Sequence, residues 1–488
     1  MNRNLRARCL HVLHRTFRAE GFRPGQERAV SALLLGRDLL CVLPTGAGKS
    51  LCYQLPAVVK DGLTLVISPL IALMQDQTAH LSSLGVPCAA LTSQLDRHAQ
   101  EMIFRRVQTG GLKLLYVAPE RLQNPAFAAL MREHPPVMIA VDEAHCVVRW
   151  GEAFRPAYAA IGSFVTSLPT RPVVCAMTAT ADQRMLRAIA QSLGLHHPKQ
   201  VILPVLRENL RYAVHMTPSR DAALCKLVNA HDEGRTIIYC DTRVRTEQVA
   251  RLLNTSGVPA AHYHAGMNAA ERTRVQQAFS DGSCRVIAAT VAFGMGVDVR
   301  GVRRIIHDDL PKDVIEYVQQ TGRAGRDGEP ADCIFLLSPS TLTHRRRKLT
   351  AARRDARKSL PQLLRFIGEW RDTAALMHIL CGGGCIRQGL VSHFGHRARP
   401  CGVCSACRDD VVPQLPSLAC ASEKAIVYRC LQIARDRLAE SLDLAPLTIA
   451  SGETLRRIAS SGCILPADRL HHAARPVFQA ILDDLHAV

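Results

Sequence analysis

Leu43-Pro44-Thr45-Gly46-Ala47-Gly48-Lys49-Ser50 is the stretch on which the reading of this chain turns. It follows the apolar run Leu39 to Leu43, which has the length of a buried strand, and a helical pattern begins after it. A strand, a glycine-bearing turn and a helix N-terminus together cradle an anion, because backbone N–H groups point inward and the helix dipole favours negative charge. Gly46 and Gly48 let the backbone approach a phosphate where a Cβ would collide. Lys49 reaches β- and γ-phosphates, and the Ser50 hydroxyl can hold Mg²⁺. Thr45 and Ala47 fill out the loop. The strict phosphate-loop pattern has Gly where this chain has Leu43, so on this stretch alone a structural loop competes with a nucleotide site.

A second stretch decides between them. The apolar run Val137 to Val141 ends in Asp142-Glu143-Ala144-His145. A carboxylate at the tip of a strand beside the cradle is what Mg²⁺ on a triphosphate needs. Asp142 is the expected Mg²⁺ partner, and Glu143 the group that orients or deprotonates an attacking water. Two adjacent acids can also cap a helix, but that accounts for one motif and not for both.

The composition sets outer limits. With 488 residues the chain has room for about three domains of ~150 residues. Hydrophobic residues make up 48%, which excludes wholesale disorder. Lys plus Arg number 61 against 42 Asp plus Glu, a formal net charge of +19 that favours a polyanionic partner, nucleic acid before membrane. No apolar run approaches the ~20 residues of a membrane span. The Arg-rich start, Met1 to Arg18, reads as an amphipathic helix with Leu5, Cys9, Leu13 and Phe17 on one face, rather than a targeting peptide. The 18 cysteines come without a secretory signal, so a reducing cytoplasm is expected and scattered thiols such as Cys41, Cys175 and Cys240 act as small buried hydrophobes.

Ahead of the phosphate loop, Arg23 and Gln26 lie in Gly21-Phe22-Arg23-Pro24-Gly25-Gln26. Such groups can read a purine, or form an ordinary helix-start turn, which composition alone favours. Leu63 to Gln77 ends a strand and opens a helix at Ser68-Pro69, and Tyr116 to Leu122 has the same pattern. Both openings serve either capping or nucleic-acid phosphates. Thr178-Ala179-Thr180-Ala181 ends a strand as a nucleotide-sensing hinge or a plain turn. Strand and helix patterns alternate to about residue 205, the mark of a parallel α/β sheet.

A second α/β unit starts near Arg207, with buried strands at Arg235 to Cys240 and Val286 to Ala289 and a helix from Ala269 to Phe279. It has no phosphate loop of its own. It does carry Gln319-Gln320-Thr321-Gly322-Arg323-Ala324-Gly325-Arg326, whose arginines can enter a cleft and pair with a γ-phosphate. One ATP is therefore expected between two lobes. Residues 342–372 read as strongly basic helices, a solvated face or a phosphate-tracking one. Cys385, Cys401, Cys404 and Cys407 have the spacing of a closed, structural Zn²⁺ site, with Cys381 as an alternative ligand. Glu423 to Leu442, Gly452 to Ser461, and Pro466 to Leu485 in one or two pieces, read as helices of a small separate bundle.

With DEAHC and its downstream WG-x-x-FRP, AFGMG-x-D, QQTGRAGRDG and the four-cysteine cluster in hand, the chain resembles the RecQ family of superfamily 2 DNA helicases over residues 15–407. The resemblance implies two tandem RecA-like parallel-sheet domains, 1–205 and 206–340. A helical zinc module at 341–410 and an all-α bundle at 421–488, similar to the helicase-and-RNase-D C-terminal module, follow. It implies 3′ to 5′ movement on single-stranded DNA, duplex unwinding, and work in repair and recombination. ATP, Mg²⁺ and Zn²⁺ are the implied cofactors. Single-stranded and partly duplex DNA, with single-strand-binding or repair proteins, are the implied partners of a monomeric, nucleoid-associated enzyme without a membrane role. By residue, Gln26 reads adenine with Arg23 nearby, Arg326 is the arginine finger with Arg323 beside it, and Trp150, Phe154 and Arg155 form the aromatic-rich loop that couples DNA to hydrolysis.

Four departures from the family stand out. Val148-Arg149 replaces the usual Ser-Gln before Trp150, and Gln320 stands where Glu is common. Glu152 stands where His is usual, and a carboxylate there is expected to repel DNA and weaken coupling. Only about eighty residues follow the zinc cluster. The resemblance then implies a bundle in place of the family's winged helix.

Overall fold

Leu39-Leu40-Cys41-Val42 shows no polar alternation, the pattern of a strand covered on both faces, and all four side chains are buried. The computed structural model describes residues 3–44, 46–69, 71–147, 156–204, 206–229, 234–293, 299, 301–355, 360–408, 423–461 and 463–486. Thr45, Trp150, Glu152, Phe154 and Arg155 lie outside them, as does 294–298 of the AFGMG-x-D loop.

The first sheet holds β1 (Leu39–Val42), β2 (Thr64–Ile67), β3 (Cys88–Leu91), β4 (Leu114–Val117), β5 (Met138–Val141), β6 (Val173–Thr178) and β7 (Lys199–Ile202). Their order is β3-β4-β2-β5-β6-β1-β7, and every pairing is parallel. The second sheet holds β8 (Leu210–Met216), β9 (Arg235–Tyr239), β10 (Ala260–Tyr263), β11 (Val286–Ala289), β12 (Val302–His307) and β13 (Ala331–Leu337). Its order is β10-β11-β9-β12-β13-β8, again parallel throughout. Parallel strands all end on one side, and that side is where open α/β sheets place their ligands. In the first sheet the adjacent ends of β5, β6 and β1 therefore bring Asp142, Thr178 and the phosphate loop together.

The first helix, Arg3–Arg15, buries Cys9 and Leu13 against Val30 and Leu55, as its pattern requires. A helix follows Ser68-Pro69 from Ile71 to Ser83. The similar-looking opening at Pro119 differs: residues Pro119–Gln123 make a short 3₁₀ turn, because Ala118 offers no capping oxygen. The α-helix starts only at Pro125, where the Asn124 side chain accepts the Phe127 N–H at 3.0 Å.

The basic segment forms two helices, Pro339–Asp355 and Leu360–Cys381. Several of its cations are tied to neighbouring groups of the chain. His344 meets Asp241 at 2.9 Å, Lys348 pairs with the same carboxylate, and Arg345 donates to Thr373 and to the Lys312 carbonyl. The tail helices Glu423–Leu442, Pro446–Ile449, Gly452–Ser461 and Ala474–His486 share a core of Val427, Leu431, Ile458, Phe478 and Leu482, with Phe366 packed on it. The helix expected from Pro466 starts instead at Ala474. Buried Asp468 accepts the Leu465 N–H at 2.7 Å and pairs with Arg457, holding that stretch as a turn.

Candidate active site between the two sheets

The phosphate loop turns at its glycines. Gly46 and Gly48 have φ of 84° and 75°, the left-handed region a side chain disfavours. Three carbonyls of the loop, those of Gly46, Ala47 and Gly48, accept hydrogen bonds from side chains ahead of it in the sequence. Gln26, 1% exposed, donates from Nε2 to Ala47 O and Gly48 O at 3.1 Å each. The Gln26 Oε1 accepts the Arg23 N–H at 2.8 Å, and the Arg23 guanidinium donates to Gly46 O at 2.8 Å. One end of the Gln26 amide thus holds the loop and the other holds Arg23, and reading a purine would exchange those bonds. Lys49 folds back so that Nζ lies 3.4 Å from Leu43 O, and Ser50 stands at the start of helix Leu51–Val59.

Asp142 follows β5 and is 7% exposed. Its carboxylate accepts the Glu143 N–H at 3.0 Å, and the Tyr158 hydroxyl donates to its carbonyl at 3.2 Å. Glu143 has a φ of 48°, strained for a residue with a Cβ. His145 Nδ1 lies 3.2 Å from Glu143 Oε2 and 3.1 Å from Thr178 Oγ1. Burial, then the Glu143 charge, pushes the Asp142 carboxyl up to about 6, with Lys49 pulling the other way. Burial opposes ionisation of Glu143 too, but the His145 hydrogen bond and the charges of His145, Lys49 and Arg323 prevail and hold it low. A buried and a half-buried acid beside one lysine form a donor set that a divalent cation fits.

The second lobe closes the site. Asp313 caps helix Val314–Thr321 by accepting the Glu316 N–H at 2.6 Å, and the helix runs into Gly322 and Arg323. A Cβ built on Gly46 would sit 3.9 Å from both Arg326 Cγ and Arg207 Nη2. Gln319 Nε2 donates across the cleft to Thr180 Oγ1 at 3.2 Å. Lys49, Asp142, Glu143, Arg323 and Arg326 therefore converge. His145, Thr178, Arg207 and Gln319 join them without having been singled out for it. His145 and Thr178 stood inside motifs already noted, whereas nothing in the sequence pointed to Arg207.

The thiol cluster lies apart. The Sγ atoms of Cys385, Cys401, Cys404 and Cys407 are all within 4.8 Å of one another. A Zn–S bond of about 2.3 Å sets sulfurs about 3.8 Å apart, so the donor set fits a closed tetrahedral ion with slight contraction. Cys385 Sγ also accepts the N–H groups of Gln388 at 3.5 Å and Cys401 at 3.3 Å, which favours a thiolate. Cys381 does not join the cluster. It is a buried core residue whose thiol burial pushes up to about 12.

Comparison with known proteins agrees with this arrangement. The DEAD/DEAH box helicase family matches residues 23–189, and the helicase conserved C-terminal domain matches 219–328. The ATP-dependent DNA helicase RecQ of Haemophilus influenzae is 40% identical over 403 residues, 82% of this chain and 64% of that protein. RecQ of Pasteurella multocida is 38% identical over 83% of this chain and 63% of its own length. RecQ of Bacillus subtilis is 33% identical over 82% and 67%. The match thus spans about two thirds of those relatives. Among solved structures, the DUF1998 helicase MrfA bound to DNA shares the fold, with a TM-score of 0.59 at 18% identity over 69% of this chain and 52% of that one. With two parallel-sheet lobes, a phosphate loop facing paired arginines, and relatives of this kind, the chain belongs to the RecQ family.

Proposed function

We propose that the protein is an ATP-dependent DNA helicase that moves 3′ to 5′ on single-stranded DNA and separates duplexes during repair and recombination. One observation carries the reading: a Cβ on Gly46 of the phosphate loop would sit 3.9 Å from Arg326 Cγ of the second lobe, and the positive charge of Arg323 in the same lobe favours the ionised Glu143 of the first. That is a site divided between two bodies, so hydrolysis can change their relative pose. Lys49 binds the phosphates, Ser50 and Asp142 hold Mg²⁺, Glu143 activates water, and Arg326 with Arg323 stabilises the developing charge. Mg²⁺ supplies charge neutralisation on the phosphates. Arg23, Gln26 and Thr45 complete the nucleotide site. Trp150, Phe154 and Arg155 contact DNA, and the four cysteines hold a structural Zn²⁺.

The units run 1–205, 206–340, 341–410 and 421–488. The enzyme works as a cytoplasmic, nucleoid-associated monomer on single-stranded and partly duplex DNA, with single-strand-binding or repair proteins as further partners.

The test is ATP hydrolysis with and without single-stranded DNA, with Lys49→Ala as the blank, together with unwinding of 3′-tailed and 5′-tailed duplexes. The expected result is stimulation by DNA and opening of the 3′-tailed duplex alone. Hydrolysis that DNA does not stimulate, with DNA affinity intact, would replace the motor with an ATP-gated clamp. Faster hydrolysis on RNA would replace the substrate.

A further inference from the structure

The loop that carries the paired arginines, Gly322 to Glu329, is held by two side chains from outside it. Arg207 donates from Nη1 to Ala324 O at 2.8 Å and from Nη2 to Gly322 O. Asn209 Nδ2 donates to Gly325 O at 2.9 Å and to Glu329 O at 2.6 Å. The Asn209 carbonyl accepts the Ala331 N–H at 3.0 Å, so the grip continues into the pairing of β8 with β13. Arg207 and Asn209 belong to the segment that joins β7 of the first sheet to β8 of the second.

The chemistry of this contact is specific. Gly322 follows the last turn of helix Val314–Thr321, where carbonyls are left without helical partners and the dipole is negative. Carbonyl oxygens turned into the cleft would repel a nucleotide's phosphates. Arg207 turns Gly322 O and Ala324 O toward itself, and a planar guanidinium can hold two acceptors at once where an ammonium cannot fix both directions. Asn209 does the same for the far half of the loop. The fit is close: a Cβ at Gly325, whose φ is 58°, would lie 2.4 Å from Asn209 Nδ2. Arg207 Nη2 also reaches to within 3.9 Å of the Cβ position of Gly46, so the grip sits at the phosphate loop itself.

We propose that Arg207 and Asn209 are positioning residues that make the inter-lobe link and the arginine loop one rigid body, so that Arg323 and Arg326 reach the terminal phosphate only at one lobe separation. The role rests on the ATP-hydrolysing reading above. It adds a physical route by which a change at the link becomes a displacement of the finger. A displacement of about 1 Å at such a group costs about a hundredfold in rate.

The experiment uses the full chain with Arg207→Gln, Arg207→Lys and Asn209→Ala. It measures steady-state ATPase, affinity for a fluorescent ATP analogue, affinity for ADP with aluminium fluoride as the transition-state mimic, and the thermal midpoint. Arg207→Gln should lower kcat by about a hundredfold and Asn209→Ala by about tenfold. KM and affinity for the ATP analogue should stay within about twofold, and the extra affinity for the aluminium fluoride complex should disappear. Arg207→Lys, which keeps the charge and loses the fork, should recover only part of the rate. Unchanged kcat in both Arg207→Gln and Asn209→Ala would overturn the proposal. So would equal losses of ground-state and transition-state binding, which would mark a purely structural role. A wild-type protein no more active than Lys49→Ala would overturn the hydrolytic reading and the positioning role with it, a result distinct from an active enzyme indifferent to these substitutions.

Discussion

His307, fully buried at the end of β12, lies between the rings of Tyr239 and Tyr317 and shares a 2.8 Å hydrogen bond with Gln320 Oε1. Burial pushes its pKa down to about 4, with the Gln320 hydrogen bond opposing in part. The ordinary value is about 6.5. Between those two values the unfolded chain binds a proton that the folded chain refuses. The stabilising contribution is therefore complete above about pH 6.5 and is lost as pH falls toward about 4, by at most about 3 kcal/mol. The thermal midpoint of the wild type should fall more between pH 7 and pH 5 than that of His307→Asn, which has no titrating ring. Gln320→Glu, restoring the acid common in the family, places a carboxylate against the ring and should flatten the same slope. Parallel profiles for wild type and His307→Asn would assign the acid sensitivity elsewhere. The Gln320 departure was legible in the sequence. Its partner was not, because Gln320 meets His307 only once β12 and helix Val314–Thr321 have packed.

At the scale of elements, the thiol cluster has a neighbour that gives it a further purpose. β8 is an edge strand of the second sheet, and an open edge invites pairing with another chain. The Ser405 hydroxyl, from within the cysteine cluster, accepts the Val214 N–H of β8 at 3.2 Å, so the cluster covers part of that edge. Cys404→Ser, or chelation, should release one Zn²⁺ per chain, lower the thermal midpoint by more than about 5 °C, and produce aggregation that grows with protein concentration. A metal-free chain that stays monomeric at an unchanged midpoint would remove the cluster from the stability of this edge. The elements themselves were legible wherever burial was two-sided or periodicity was long. β1 and β5 lie within their apolar runs, and helices Glu423–Leu442 and Gly452–Ser461 have the ends the sequence implied. Short edge strands such as Lys199–Ile202 and Ala260–Tyr263 mix polar and apolar residues and carry no such signal. The turn before Ala474 was hidden because it depends on Asp468 meeting Arg457, a contact between elements.

Across the whole molecule, the net charge of +19 favours a polyanionic partner, while several cations of the basic helix are taken up by contacts within the chain. His344, Arg345 and Lys348 spend their bonds on docking the basic helix to the second lobe, and Leu360–Cys381 packs in turn on helix Val314–Thr321 and on the tail bundle. The helix that leads into the arginine loop is thus held by the sheet below it and the helical modules beside it. A direct tie from it to the first lobe at the strand ends is the hydrogen bond from Gln319 to Thr180, and Thr180 is 1% exposed. Thr178 continues the path, since its hydroxyl donates to the Thr180 carbonyl at 3.0 Å and lies against His145, which meets Glu143. Lobe closure and the Glu143 carboxylate are therefore linked through Gln319, Thr180, Thr178 and His145, the step from Thr180 to Thr178 passing through the Thr180 backbone carbonyl. Thr180→Val keeps the shape and removes only the acceptor of the cross-lobe bond. A neutral hydrogen bond contributes about 1 kcal/mol, so kcat should fall about fivefold to tenfold, far less than the loss from Lys49→Ala. Affinity for an ATP analogue should be unchanged, because the phosphate loop is untouched, and the stimulation of hydrolysis by single-stranded DNA should shrink by the same factor. Gln319→Ala should give the same numbers, and the double variant no more than either alone, because both remove one bond. Additive losses would mean that the two side chains act separately, and the link between closure and chemistry would then have to run through the arginines alone.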